Sequence, residues 1–104
     1  MRVYIAGPIT GHADFNREAF ADAAKQLQAA GHDPVNPCRS YGRPWGSQTW
    51  EWYMRRAITL MLTCDAVAVL PGWERSRGAT LEIRVARELG MRVAVLDQWT
   101  EDAA

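Results

Sequence analysis

Glu82 is the residue whose placement says most about chemistry. It lies three and four residues before Val85 and Ala86 and seven before Leu89. Helical spacing over residues 78–89 turns Leu81, Val85, Ala86 and Leu89 inward, so the Glu82 carboxylate shares an apolar helix face. Burying a carboxylate costs several kcal/mol unless it is paired or hydrogen-bonded. The same spacing puts Glu82 in the first helical turn, where the helix dipole favours the ionised form. A partly dry, ionised carboxylate suits nucleophilic catalysis. The plainer alternative is a boundary glutamate or a structural pair with an arginine.

Ser76, Arg77 and Gly78 lead into the same helix. Backbone N–H groups at a helix N-terminus are unpaired and attract anions. Ser76 adds a hydroxyl, Gly78 permits close backbone approach, and Arg75 and Arg77 add positive charge. The segment can seat one phosphate; it can equally be a simple cap with solvated arginines. Neither GxxxxGK[ST] nor GxGxxG occurs, so the nucleotide fingerprints built on those motifs are excluded. Tyr4 could hydrogen-bond the Glu82 carboxylate or a sugar hydroxyl, or simply pack with a polar tip. Asp65 reads as a helix cap or loop anchor. Trp45, Trp50, Trp52 and Trp73 flank two long loops and could stack a base; core and interface packing fits Trp50 and Trp52 better. His12 and His32 lie far apart. Cys38 and Cys64 read as free thiols of a reducing compartment. No metal constellation is visible and no cofactor is implied.

The elements that must hold these residues follow from apolar periodicity and from Gly and Pro punctuation. Val3–Ala6 is a strand stopped by Gly7-Pro8. Residues 14–30 are helical, with Phe20, Ala23, Ala24, Leu27 and Ala30 on one face and Gly31 behind. Asp33–Val35 is a weak strand, and 36–48 an irregular loop. Residues 49–63 form a helix with Trp50, Tyr53, Met54, Ala57, Ile58 and Met61 as its stripe. Ala66–Leu70 is an unbroken apolar run, the mark of a strand buried on both faces. A helix over 78–89 and a strand over 92–96 follow, then a tail, 97–104. The order β-α-β-α-β-α-β with three helices predicts an α/β fold. This is a Rossmann/flavodoxin-like three-layer domain with a four-stranded parallel sheet ordered 2-1-3-4. Ligands in such folds bind beyond the carboxyl ends of the strands at the switch point. Here that nominates the loops 7–11 and 71–78.

The chain has 104 residues, enough for one domain, with 48% hydrophobic and 23% charged residues. Lys+Arg and Asp+Glu are both 12. A neutral chain lacks the basic excess that grips a polynucleotide, which leaves a single nucleotide as a partner. No leader is visible and no apolar run can span a bilayer, so a cytoplasmic protein without a membrane partner is expected.

Together, Tyr4-Ile5-Ala6-Gly7-Pro8-Ile9-Thr10-Gly11, Phe15-Asn16, Asn36-Pro37, Cys64-Asp65-Ala66, Pro71-Gly72-Trp73 and Ser76-Arg77-Gly78-Ala79-Thr80-Leu81-Glu82 resemble the nucleoside 2-deoxyribosyltransferase superfamily. Within it the chain looks like the small phage and bacterial proteins with YIAGPxTG…CDAxxxLPGWxxSxGAxxE, and the 2′-deoxynucleoside 5′-phosphate N-hydrolases are a better-understood branch. The resemblance covers residues 3–96, taken as a domain over 1–96 with 97–104 as tail. It implies a hydrolase or transferase of nucleotide metabolism that cleaves an N-glycosidic bond with retention. Glu82 would be the nucleophile, Tyr4 its orienting partner, and Ser76 the contact for a 5′-phosphate. Gly7, Pro8, Ile9, Gly11, Asn16, Gly72, Trp73 and Gly78 would line the substrate. The family completes its pocket with subunit neighbours, which implies a homo-oligomer, a dimer or larger. Exposed Trp and Met on the second helix would point the same way.

One position departs from the family. The general acid that protonates the leaving base is usually an Asp eight residues before the strand-opening Asp65. Here that residue is Ala57. Two function classes therefore stand: a nucleotide N-glycosidase or deoxyribosyltransferase, impaired at its acid, and a nucleotide-binding module that has lost the chemistry.

Overall fold

Side chains of an extended chain alternate between faces, and this alternation divides the core in two. The computed structural model describes residues 1–9, 13–40 and 48–101. Strands β1 (Arg2–Ala6), β2 (Asp33–Val35), β3 (Ala66–Val69) and β4 (Arg92–Val95) form one parallel sheet. Its order is β2-β1-β3-β4, as the alternation of elements predicts. Helices α1 (Arg17–Ala29), α2 (Trp50–Met61), α3 (Arg77–Glu88) and α4 (Leu96–Glu101) flank it. Val3, Ile5, Ala66 and Ala68 pack with Phe20, Ala23 and Leu27 of α1. Tyr4, Ala6, Val67 and Val69 face the other way, against Met61 of α2 and Ile83 and Ala86 of α3. β3 is buried on both faces, which is why its sequence is unbroken apolar.

Local chemistry sets the ends of the elements. Asp65 accepts from the Arg2 backbone N–H at 3.0 Å, tying the start of β1 to the entry of β3. Thr49 caps α2 by accepting from the Trp52 N–H at 3.1 Å. β2 is short and lies at the sheet edge, where Pro34, having no N–H, is tolerated.

Five expectations are corrected. Residues 97–101 are not tail: α4 follows β4 without a break, and its Trp99 is 1% exposed. The Trp99 indole N–H is shared by the carbonyls of Val67 and Ala94, both at 3.2 Å. Among the described residues the α-helices are therefore four, not three. The inward set of α3 is Ala79, Glu82, Ile83 and Ala86, whereas Leu89 is 59% exposed and Leu81 lies on the outer side. On α2, Met54 and Met61 are buried rather than exposed, and Trp50 and Trp52 are half-buried. Within 36–48, Pro37–Ser40 form a 3-10 turn, with Asn36 Oδ1 accepting from the Cys38 N–H. Residues 41–47, including Trp45, lie outside the described residues. Among the described residues no helix is long and apolar enough to cross a membrane.

Candidate functional site

The pleat of β1 and the phase of α3 bring Tyr4 and Glu82 together. Tyr4 leaves β1 on the α2/α3 side, and Glu82 lies on the inward face of α3. The Tyr4 phenol donates to Glu82 Oε2. Tyr4 is fully buried and Glu82 is 5% exposed. The carboxylate thus has the hydrogen-bond partner that burial demands.

Burial also changes its charge. Desolvation pushes the Glu82 carboxyl up to about 8, with the Tyr4 hydrogen bond acting in the opposite direction. The expected ionised carboxylate is therefore held protonated at neutral pH. The dipole argument is corrected with it. α3 starts at Arg77, which places Glu82 in its second turn, beyond the range where the helix N-terminus favours negative charge.

The loops after β1 and β3 meet above this pair. A Cβ on Gly7 would fall 2.9 Å from Leu70 Cβ, so only glycine lets the two loops close. Pro8 packs toward Gly72, which takes φ of 87°. Asn16 donates from Nδ2 to the Pro8 carbonyl at 2.9 Å and holds the first loop from α1. Phe15 and Asn16 both adopt positive φ, 55° and 62°, an uncommon conformation that aims the Asn16 amide at that carbonyl. Trp73 packs on the cluster that contains Tyr4.

Not every candidate joins them. Ile9 packs on the α1-side cluster, across the sheet from Glu82. Gly11, with Thr10 and His12, lies outside the described residues. Ser76 is the N-cap of α3, its Oγ accepting from the Ala79 N–H at 3.1 Å. Gly78 gives its open space to α2 rather than to a ligand: a Cβ there would meet Met54 Sδ at 3.0 Å. Ala57 is 1% exposed and sits between Met54 and Met61 on the buried stripe of α2. A stack of the Arg77 guanidinium on the Trp50 ring, 3.7 Å from its centroid, was not foreseen. Nothing in the spacing of these residues signals a contact between two helices.

A buried carboxyl held by a phenol beneath two converging loops and a helix N-terminus can serve as a shielded nucleophile once it loses its proton. The sequence model of one family matches residues 1–95. The chain belongs to that family, a domain of unknown function (DUF4406). No curated protein matches it by sequence. Among solved structures it is similar to a 2-deoxyribosyltransferase from the psychrotolerant bacterium Bacillus psychrosaccharolyticus, with a TM-score of 0.68. That likeness covers 89% of this chain and 69% of the other at 16% identity, and it is a likeness of fold.

Proposed function

We propose that this protein binds a nucleoside or deoxynucleoside 5′-monophosphate and cleaves its N-glycosidic bond, with Glu82 as nucleophile. The observation that carries the reading is the buried Tyr4–Glu82 hydrogen bond beneath the switch-point loops. The fold shared with a deoxyribosyltransferase supports it. In this reading the ionised carboxylate bonds to C1′ as the C1′–N bond breaks and its electron pair leaves with the base. Water, or a second base, then releases the sugar from Glu82. The 5′-phosphate lies at the N-terminus of α3, against the N–H groups of Arg77 and Gly78 and the Ser76 hydroxyl. The active form is a homo-oligomer, which sedimentation at micromolar concentration tests.

Ala57 favours the second reading, a binding module without turnover, because an alanine has no proton for the departing base. One experiment separates the two. Free base is measured over a panel of nucleoside monophosphates, and nitrophenol from a nitrophenyl deoxyriboside phosphate, whose leaving group needs little protonation. Release of nitrophenol that Glu82→Ala abolishes supports the enzyme. Binding of nucleotide with no release from any substrate, by the native chain or by Ala57→Asp, leaves the binding module.

A further inference from the structure

A recess of about 370 Å³ opens on the side of α3 away from Glu82, lined by Trp50, Arg77, Thr80, Leu81 and Arg84. That volume lies at the small end of the range for small-molecule sites, roughly 300–1,000 Å³. The four α3 residues follow i, i+3, i+4, i+7 spacing and form one stripe of the helix. The buried residues Ala79, Glu82, Ile83 and Ala86 occupy the opposite face. The recess therefore lies on the face of α3 opposite Glu82 and adjoins the proposed phosphate seat only at Arg77.

Its chemistry is specific. The Arg77 guanidinium lies on the Trp50 ring at 3.7 Å. The stack fixes the side chain before any ligand arrives and leaves its N–H groups available at the edge. Arg84 is exposed two turns further along, and helical side chains lean toward the N-terminus, which aims it back over the floor. Thr80 shares its hydroxyl proton between the carbonyls of Ser76 and Arg77 at 2.8 and 3.0 Å, so it has no O–H left to donate to a ligand. The floor is then apolar, made by Thr80 and Leu81. Two arginines flank it, an indole walls it, and no carboxylate is among the described lining residues.

We propose that this recess binds an aromatic phosphate, with the ring over Leu81 beside Trp50 and the phosphate between Arg77 and Arg84. The aromatic body uses the apolar floor and the indole. The dianion answers two guanidinium groups that no described lining acid neutralises. This site does not depend on turnover at Glu82.

Phenyl phosphate is the probe, titrated into the ¹⁵N-labelled full chain while the tryptophan indole N–H signals are followed. Trp50→Phe identifies the Trp50 signal. The buried Trp99 signal, held by Val67 and Ala94, reports an intact fold. The expected result is a saturating shift of the Trp50 signal with Trp99 unmoved. Arg84→Ala weakens binding about tenfold or more, the loss typical of a charge-assisted contact. Ser76→Ala leaves the affinity unchanged, and inorganic phosphate and phenol each bind more weakly than phenyl phosphate. The proposal is overturned if the Trp50 signal stays still, or if Arg84→Ala binds as well as the native chain while Trp99 is unmoved. It is also overturned if inorganic phosphate binds as tightly as phenyl phosphate. Loss of the Trp50 shift in Ser76→Ala overturns it too, since the probe then sits at the N-terminus of α3.

Discussion

Glu82 shows how one buried group sets both stability and activity through pH. Its carboxyl ionises at about 8 in the folded chain, against an ordinary value of 4.5, because burial penalises the charge. The folded state therefore holds the proton more tightly than the unfolded state does. The contribution of Glu82 to stability is complete below pH 4.5 and declines as pH rises toward 8, by about 1.4 kcal/mol per unit, then levels off. Glu82→Gln should remove that decline and, near pH 8, unfold at higher urea than the native chain. A native chain whose urea midpoint does not fall across this window would refute the buried-acid picture. Catalysis has the opposite dependence, because the nucleophile must be ionised. Nitrophenol release under kcat/KM conditions should rise with pH through about 8. At Ala57, buried on α2, Ala57→Asp should raise the rate with ordinary nucleotides by about 10²-fold. It should also lower stability by about 1–3 kcal/mol, the cost of a buried polar group without an arranged partner. A rate gain confined to the nitrophenyl substrate would show that the new carboxyl is not acting as an acid.

The elements carry the loops that close over this carboxyl, and Gly7 is where their fit is tightest. A Cβ there lies 2.9 Å from both Leu70 Cβ and Cδ1, closer than side chains tolerate. Gly7→Ala should cost about 1–3 kcal/mol and push the β1 and β3 loops apart, lowering nucleotide affinity along with the urea midpoint. An unchanged midpoint would mean that Leu70 yields without moving backbone. Much of this layer is legible in the sequence. The apolar run at 66–70, the Gly-Pro stops and the alternation of strand and helix are local signals, and they lead to the observed sheet order. Tyr4 and Glu82 could be paired because the strand period and the helix period each assign a face. The phase of α3 was harder to read. Leu81 and Leu89 are as apolar as Ile83, and the packing of α3 on β1, β3 and Met61 of α2 decides which of them is covered. The Ser76 cap is local, three residues from Ala79, and is legible as a cap, whereas the Asn16 contact with Pro8 and the Trp50–Arg77 stack join separate elements, which periodicity does not encode.

Across the whole molecule the sheet needs a cover on each side, and α4 supplies part of one. The match to the family model ends at residue 95, one residue before α4 begins. The sequence Asp97-Gln98-Trp99-Thr100-Glu101 has no apolar period, so it reads as a tail. Its single large side chain nevertheless fills the α1-side cluster with Val3, Ile5 and Leu27. The Arg92 guanidinium lies over that indole at 4.3 Å, and His32 makes a T-shaped contact with it at 5.2 Å between ring centroids. Losing a buried tryptophan costs about 3–5 kcal/mol, against a total of roughly 5–15 kcal/mol for a domain of this size. Truncation after Val95 should therefore leave the fold marginal, with a broad urea transition and a lower slope. Trp99→Phe keeps most of the apolar volume but removes the N–H shared by Val67 and Ala94. It should cost about 1–2 kcal/mol with the slope unchanged. If the chain ending at Val95 unfolds at the same urea concentration as the full chain, α4 lies outside the folding unit, and the family boundary is also the physical one.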